Sequence, residues 1–154
     1  MKNFLKISIV LILVLVTDLV TKHFLSNIEY LNIIPNVISF ATNNGNDGVA
    51  FGLFSGERVW IILISSILIA ALLIFNHFVK NKNTFYCLGF GFVLGGAIGN
   101  LVDRIWLGTV RDFIYLDFFK IFPIFNFADT FICIGAFMLA IFILFSGKGE
   151  KKSK

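Results

Sequence analysis

The sequence predicts an all-α membrane protein with four transmembrane helices. Only 14% of its 154 residues are charged, 58% are hydrophobic, and the mean hydropathy is +0.91. A soluble domain carries about 25% charged residues, so these charges are too few to cover a globule. A helix needs about 20 mostly apolar residues to cross a bilayer, and four segments satisfy this. We predict a single integral membrane domain, residues 1–154, with spans at 4–25, 59–79, 85–102 and 125–145.

The first span has a basic start at Lys2 and Lys6, followed by the apolar run ISIVLILVLV. This pattern also resembles a secretory signal peptide, but no small-x-small cleavage site follows, so we predict a retained helix. Asp18 and Lys22 are four residues apart near its outer end. They share one helix face, where an ion pair would satisfy both charges. We expect this pair to be mainly structural and to orient other polar groups.

The outer segment 26–58 follows the first span and is polar and mixed. Apolar and polar residues alternate around Ile33–Phe40, which predicts one or two short strands lying against the membrane surface. The stretch NNGNDGVAFG contains Asn-Gly and Asp-Gly pairs, which are turn signals. This segment is therefore predicted to form a small β element outside the bilayer.

The third span is rich in glycine. Gly91, Gly95 and Gly99 follow one another at intervals of four residues. Small residues at this spacing let helix backbones approach closely in lipid. We therefore predict close helix packing along this face, which accounts for most of the glycines in the span.

The lysines indicate the orientation of the chain. They flank the apolar runs at the N-terminus, at Lys80 and Lys82, and in the tail, residues 146–154. Four spans place these three segments on one side, and the positive-inside rule makes that side cytoplasmic. The net charge of +4 therefore indicates topology and not a nucleic-acid surface. The outer segments are then 26–58 and 103–124, and the aspartates gather at or beyond the outer face.

The stretch between the last two spans holds most of the polar chemistry. It contains the spacing Asn-x-x-Asp twice, as Asn100/Asp103 and Asn126/Asp129. An ionisable residue at a membrane edge is costly and marks a functional site by default. Asp129 lies in the first turns of the fourth helix, where the helix dipole and Thr130 would stabilise its charge. Asn126 can cap that helix or share its face. Spacing alone favours Asp103 and Asp129 as the functional pair.

Two further charged pairs are open to more than one interpretation. Arg111 and Asp112 lie in TVRDFIYLDFF, a segment that we expect to be half-buried at the interface. An ordinary surface ion pair between them is as well supported as a functional role. Arg104, next to Asp103, can pair with an acid or reach lipid headgroups, and Asn100 can form hydrogen bonds within the bundle.

Several catalytic chemistries lack the residues they need. His23 and His77 lie towards opposite membrane faces, and Cys87 and Cys133 sit inside apolar runs, so no zinc cluster or disulfide framework is predicted. No phosphate-binding glycine loop occurs in a strand–helix context. Two aspartates can activate a water without a cofactor or metal. A proton-coupled transporter and a non-catalytic scaffold remain alternatives, although a transporter should carry its acid near the midplane.

Five ordered motifs resemble the bacterial lipoprotein signal peptidase family, also called signal peptidase II, over nearly the whole chain. The matching pieces are Asp18-x-x-x-Lys22, Asn46-Asp-Gly48-Val-Ala-Phe51-Gly, Gly-Gly-Ala-Ile-Gly-Asn100-Leu-Val-Asp103-Arg104, Val110-Arg-Asp112-Phe113 and Phe125-Asn126-Phe-Ala128-Asp129. Their order across four spans makes the match far more specific than any single motif.

The resemblance implies a four-helix membrane aspartic endopeptidase with a small extracytoplasmic β-cradle and a short interfacial helix. Such an enzyme cuts prolipoproteins just before a cysteine that carries diacylglycerol. The implied catalytic pair is Asp112 and Asp129. The implied supporting and substrate-binding residues are Asp18, Lys22, Asn46, Gly48, Asn100, Asp103, Arg104, Asn126 and Ala128.

The resemblance also implies partners and a location. The partners are the prolipoprotein substrates and membrane lipid, with no nucleic acid and no cofactor, and globomycin is the expected inhibitor. We expect a monomer in the bacterial cytoplasmic membrane with its site facing outwards. Arg111 departs from the family pattern, which has valine before the first catalytic aspartate. Asn46 is aligned in preference to Asn43 or Asn44 because its spacing to Gly48 fits.

Overall fold

The computed structural model describes residues 2–41 and 56–146, and these contain four long helices. The helices are α1 (Lys2–Leu25), α2 (Arg58–Phe78), α3 (Thr84–Trp106) and α4 (Phe127–Ser146). All four are long and apolar enough to cross a membrane by length and composition. The predicted all-α membrane fold with four spans is confirmed.

Helix α3 extends further than predicted. Its predicted end was residue 102, but it continues to Trp106 and stops before Gly108, which has a φ of 86°. Glycine adopts this left-handed conformation without the steric cost that a Cβ would add. Asp103 and Arg104 therefore lie within the last turns of α3 and not in the outer segment.

Helix α3 is the centre of the bundle. The rest of the chain buries 61% of its most apolar stretch, against 6–17% for the other three spans. A Cβ on Gly95 would lie 2.8 Å from Cβ of Val14 on α1, and one on Gly96 would lie 2.5 Å from the Ala128 carbonyl on α4. The glycines of α3 thus admit a neighbouring helix on each side, as their spacing predicts.

The apolar core lies between α1, α3 and α4. Tyr86 and Phe90 stack at a centroid distance of 5.8 Å, and Tyr86 also contacts Phe142 of α4. Ile7 of α1 and Leu139 of α4 complete this buried cluster. Packing of this kind, together with hydrogen bonds, holds helices together in lipid, where the hydrophobic effect does not.

Helix α2 is the least buried of the four and packs mainly against α3. Its first residue, Arg58, donates hydrogen bonds to the carbonyls of Arg104 and Ile105 at the end of α3, at 3.0 and 2.7 Å. Near its other end, Asn76 accepts a hydrogen bond from the Tyr86 hydroxyl at 3.0 Å. Polar contacts thus attach α2 to α3 near both ends.

A three-stranded antiparallel sheet lies at one end of the bundle. Its strands are β1 (Tyr30–Ile34), β2 (Ile38–Ala41) and β3 (Ile114–Leu116), in the order β1-β2-β3. The first two confirm the predicted strands, whereas β3 comes from the second outer segment and was not predicted. At the opposite end, Asn3 donates to the Lys82 carbonyl and Lys6 to the Thr84 hydroxyl.

The implied short interfacial helix does not occur among the residues that the structure describes. The predicted supporting residues Asn46 and Gly48 belong to the range 42–55, which lies outside the described residues.

Candidate active site

The start of α4 is held by a reciprocal pair of hydrogen bonds. The side-chain oxygen of Asn126 accepts from the Asp129 amide at 3.0 Å, and Oδ2 of Asp129 accepts from the Asn126 amide at 3.2 Å. Two backbone donors that a helix start leaves unpaired are thereby satisfied. Asn126 is thus the helix cap. The Thr130 hydroxyl donates to the Asn126 carbonyl, so the predicted bond from Thr130 to Asp129 is wrong.

Asp112 comes from the loop between α3 and β3 and is buried. Its Oδ1 accepts a hydrogen bond of 2.7 Å from the side-chain amide of Asn126. The next residue, Phe113, accepts from the Ala41 amide and donates to the Phe125 carbonyl, both at 3.0 Å. The sheet and the chain before α4 therefore hold Asp112 from two sides.

Asn100, on α3, connects a buried cation to a carboxylate. Its Oδ1 accepts from Nζ of Lys22 at 2.8 Å and from the side-chain amide of Asn126 at 3.2 Å. Its Nδ2 donates to Oδ1 of Asp129 at 2.7 Å. These bonds use both polar atoms of the amide and fix its orientation. They also direct a donor at Asp129.

The predicted pair between Asp18 and Lys22 is present, with 2.8 Å between Nζ and Oδ2, and both side chains are fully buried. Oδ1 of Asp18 accepts from the Ala128 amide in the first turn of α4 at 3.0 Å. Gly99 makes room for this carboxylate, because a Cβ there would overlap it. The pair therefore also orients the start of α4 against α1.

Arg111 pairs with Asp103 and not with the adjacent Asp112. Its Nη2 lies 2.7 Å from Oδ1 of Asp103, and its Nε and backbone nitrogen lie 3.2 and 3.1 Å from Oδ2. The interpretation of Arg111 and Asp112 as a surface ion pair is therefore wrong. Sequence reasoning missed this contact, since no local pattern joins positions 103 and 111.

The two carboxylates that share a cavity are Asp112 and Asp129. The cavity has a volume of about 330 Å³. Its polar lining is formed by Asn100, Arg104, Asp112 and Asp129, and its apolar lining by Val110, Phe122, Pro123, Ile124, Phe125, Ile132 and Cys133. Asp103 is not part of this lining. The spacing favoured Asp103 and Asp129 as the functional pair, but Asp103 does not face the cavity that Asp129 lines.

Ile132 and Cys133 were not predicted as part of the site. They follow Asp129 by three and four residues on α4, so helical spacing places them on the same face. That spacing could have identified them. No group of three or more His, Cys, Asp and Glu side chains suited to a metal occurs in 2–41 and 56–146.

Comparison with known proteins identifies the chain's relatives. Residues 10–145 match the family model described as signal peptidase (SPase) II. The chain is 38% identical over 143 residues to the lipoprotein signal peptidase of Chlorobium phaeobacteroides strain BS1, covering 84% of this chain and 89% of the relative. It is 39% identical over 141 residues to that of Lactobacillus johnsonii, covering 89% of this chain and 90% of the relative.

Two solved structures are also similar to this chain over most of its length. A bacterial membrane enzyme determined by the in meso method at 2.3 Å is 32% identical, with a TM-score of 0.81, covering 96% of this chain and 92% of that one. A second such structure, at 1.9 Å, is 30% identical with a TM-score of 0.80, covering 90% of this chain and 92% of that one. The chain therefore belongs to the signal peptidase II family, the peptidases that remove signal peptides from lipoprotein precursors.

Proposed function

We propose that this peptidase cuts immediately before a diacylglyceryl-modified cysteine and that Asp112 and Asp129 activate the attacking water. The observation that carries the proposal is that both carboxylates line one cavity and accept hydrogen bonds from the same residue, Asn126. Two carboxylates beside a water form an acid–base pair that needs no cofactor.

The chemistry requires the two carboxylates to differ in protonation. An acid–base pair of this kind acts with one carboxyl group ionised and the other protonated. The ionised carboxylate takes a proton from the water while the water oxygen attacks the scissile carbonyl carbon. The protonated partner then donates to the leaving nitrogen, and the peptide bond breaks. Asn100 and Asn126 donate to these carboxylates and hold them in place.

Arg104 is suited to the negative charge that develops during attack. Its guanidinium interacts electrostatically with Asp112 and Asp129, and the residue lines the same cavity. A fixed positive group beside a developing oxyanion stabilises the transition state more than the ground state. The residues proposed to support the pair in these ways are Asp18, Lys22, Asn100, Asp103, Arg104, Asn126 and Ala128.

The lining of the cavity also suits the proposed substrate. An extended peptide cannot lie in lipid with its backbone groups unpaired, and the polar side chains of the lining offer it partners. Two apolar residues of the lining, Ile132 and Cys133, belong to the membrane-spanning stretch of α4. We place this site on the outer side of the bacterial cytoplasmic membrane, with the lysine-rich end inside. The enzyme acts as a monomer among membrane lipids and is inhibited by globomycin.

The test is cleavage of a diacylglyceryl-modified prolipoprotein by purified variants. We expect Asp112→Asn and Asp129→Asn each to lower kcat by about 10²- to 10⁴-fold, the usual effect of losing a general acid or base. Membrane insertion should be unchanged. Asp117→Asn is the matched control, because Asp117 lies in the same outer segment but binds Ser39 of the sheet. Normal cleavage by either dyad variant would contradict the assignment.

Two further arms separate the parts of the proposal. Asp103→Asn should retain measurable activity, since Asp103 binds Lys22 and Arg111 and does not line the cavity. Mass spectrometry of the product should place the cut directly before the lipidated cysteine. Equal cleavage of the unlipidated precursor would contradict the proposed substrate without affecting the proposed pair.

A further inference from the structure

Arg111 binds a carboxylate through both its side chain and its backbone. The guanidinium places Nη2 and Nε on the two oxygens of Asp103, and the backbone amide of Arg111 donates to one of them. The Arg111 side chain is 27% exposed, whereas that of Asp103 is 1% exposed. The contact is therefore largely shielded from water. Charged hydrogen bonds are stronger in such a shielded place than on the protein surface.

Hydrogen bonds hold Arg111, the residue directly before Asp112, at both its backbone N–H and its carbonyl group. On one side, Asp103 of α3 holds the Arg111 amide at 3.1 Å. On the other side, the side-chain amide of Asn126 lies 3.5 Å from the Arg111 carbonyl and 2.7 Å from Oδ1 of Asp112. The end of α3 and the start of α4 thus share the positioning of one short segment. A shift of Arg111 would move the carboxylate that follows it.

Arg111 also affects the other carboxylate, through charge. Nζ of Lys22 lies 2.8 Å from Asp18 and 3.5 Å from Asp103, so one ammonium group stands between two buried carboxylates. The guanidinium of Arg111 supplies the second positive charge. Without the Arg111 guanidinium, the Asp103 carboxylate would attract Lys22 more strongly. The attraction of Asp103 would then draw the Lys22 ammonium group away from Asn100.

Asn100 carries this effect to Asp129. Its Oδ1 accepts from Lys22, while its Nδ2 donates to Oδ1 of Asp129. A displaced lysine would release the amide of Asn100 from its fixed orientation, and the donor to Asp129 would be lost or lengthened. Arg111 is therefore connected to Asp112 by the backbone and to Asp129 by four successive polar contacts, through Asp103, Lys22 and Asn100.

We propose that Arg111 is a positioning residue for the carboxylate pair, acting through Asp103 on the placement of Asp112 and, through Lys22 and Asn100, on Asp129. This inference rests on the proposed function of Asp112 and Asp129. It assigns to Arg111 a role in turnover that neither the sequence motif nor the cavity lining indicates, since the side chain of Arg111 does not line the cavity.

The experiment compares two variants. Arg111→Met removes the charge and keeps an apolar side chain of similar length, whereas Arg111→Lys keeps the charge but loses the planar guanidinium that binds both carboxylate oxygens. We expect Arg111→Met to lower kcat about tenfold with KM within about twofold, because misplacement affects the transition state and not substrate binding. Arg111→Lys should recover part of the loss. Lys120→Met, on the exposed loop after β3, is the matched loss of a cation and should leave both constants unchanged.

A double-mutant cycle tests the route of the effect. In an Asp103→Asn background, Arg111→Met should change kcat less than twofold, because the partner charge is already absent. A kcat of Arg111→Met within twofold of the parent, or the same loss in both backgrounds, would overturn the inference. Size exclusion and thermal unfolding give the folded fraction, and a merely structural role would lower that fraction with kcat per folded molecule unchanged.

Comparison of Arg111→Met with Asp112→Asn distinguishes this inference from the proposed function. If Asp112→Asn is inactive and Arg111→Met has a normal kcat, the positioning role fails and the carboxylate pair stands. If Asp112→Asn cleaves normally, the pair itself is wrong, and the positioning role fails with it.

Discussion

Lys22 shows how single residues make a polar site possible inside an apolar bundle. Its side chain is fully buried, and its ammonium group binds Asp18 and the side chain of Asn100 at 2.8 Å each. Burying an isolated charge costs several kcal/mol, so a buried ammonium persists only where partners satisfy its donors. The spacing of Asp18 and Lys22 predicted the ion pair, because residues four apart share a helix face. The bond to Asn100 crosses to another helix and was not predictable from spacing.

Removing the ammonium group should destabilise the protein through the charges it leaves behind. We expect Lys22→Met to lower the free energy of unfolding by about 3–5 kcal/mol, the usual cost of breaking a buried ion pair. The double change Asp18→Asn/Lys22→Met should cost less than Lys22→Met alone, because it removes a negative charge together with the positive one. Thermal unfolding in detergent micelles measures both, and a double variant less stable than Lys22→Met would contradict this account.

At the scale of elements, the glycines of α3 determine how closely the site can assemble. Gly96 packs against the backbone of α4 at Ala128, and Gly99 faces the carboxylate of Asp18 on α1. Asn100 is the next residue on α3. The distance between the helices therefore determines whether its side chain can form hydrogen bonds with Lys22 and Asp129. The glycine spacing predicted close packing. It did not indicate which helix each glycine would contact.

A methyl group at Gly96 should therefore affect both stability and activity. Its Cβ would lie 2.5 Å from a backbone carbonyl oxygen of α4, which cannot rotate away as a side chain could. We expect Gly96→Ala to cost about 1–3 kcal/mol, as overpacking typically does, and to lower kcat by moving Asn100 away from Asp129.

Ala71→Val is the matched control for this change. It adds methyl groups to the exposed face of α2, away from the α3–α4 contact. Unfolding temperature and kcat should both be unchanged in this variant. If Gly96→Ala matched the parent in both measurements, the close approach of α3 and α4 would not limit the site.

The sheet illustrates why some elements escaped prediction. β1 and β2 form a hairpin whose alternation is visible in the sequence, whereas β3 has three residues, too few for a period to emerge. β3 forms because Ser39 and Phe40 of β2 pair with Tyr115 and Ile114, far along the chain. Asp112 owes its position to this pairing, since it immediately precedes the strand.

The whole molecule has two chemically different ends. Asn3 and Lys6 at the start of α1 bind Lys82 and Thr84 where α3 begins, which places the lysines of these two segments at one end. The sheet and the aspartates among the described residues occupy the other end. Since cytoplasmic loops carry an excess of lysine and arginine, the carboxylate end should face outwards.

Cysteine labelling tests this orientation. In a Cys87→Ser/Cys133→Ser background, a membrane-impermeant maleimide should label Lys120→Cys in intact cells. Lys80→Cys should react only after the membrane is permeabilised. Both positions are exposed, so access depends on the side of the membrane and not on burial. The opposite pattern would place the carboxylates inside and contradict the proposed location.

The sequence by itself determined the membrane class, the four spans and the pair of Asp18 with Lys22. These features depend on composition and on residues within one helix, where geometry follows directly from spacing. The motifs also indicated Asp112, through resemblance to a known family. Only the tertiary structure decided that Arg111 binds Asp103 and that the Ala128 amide binds Asp18, 110 positions away. Such contacts join separate elements, and their partners depend on how the helices and strands pack, which no local pattern records.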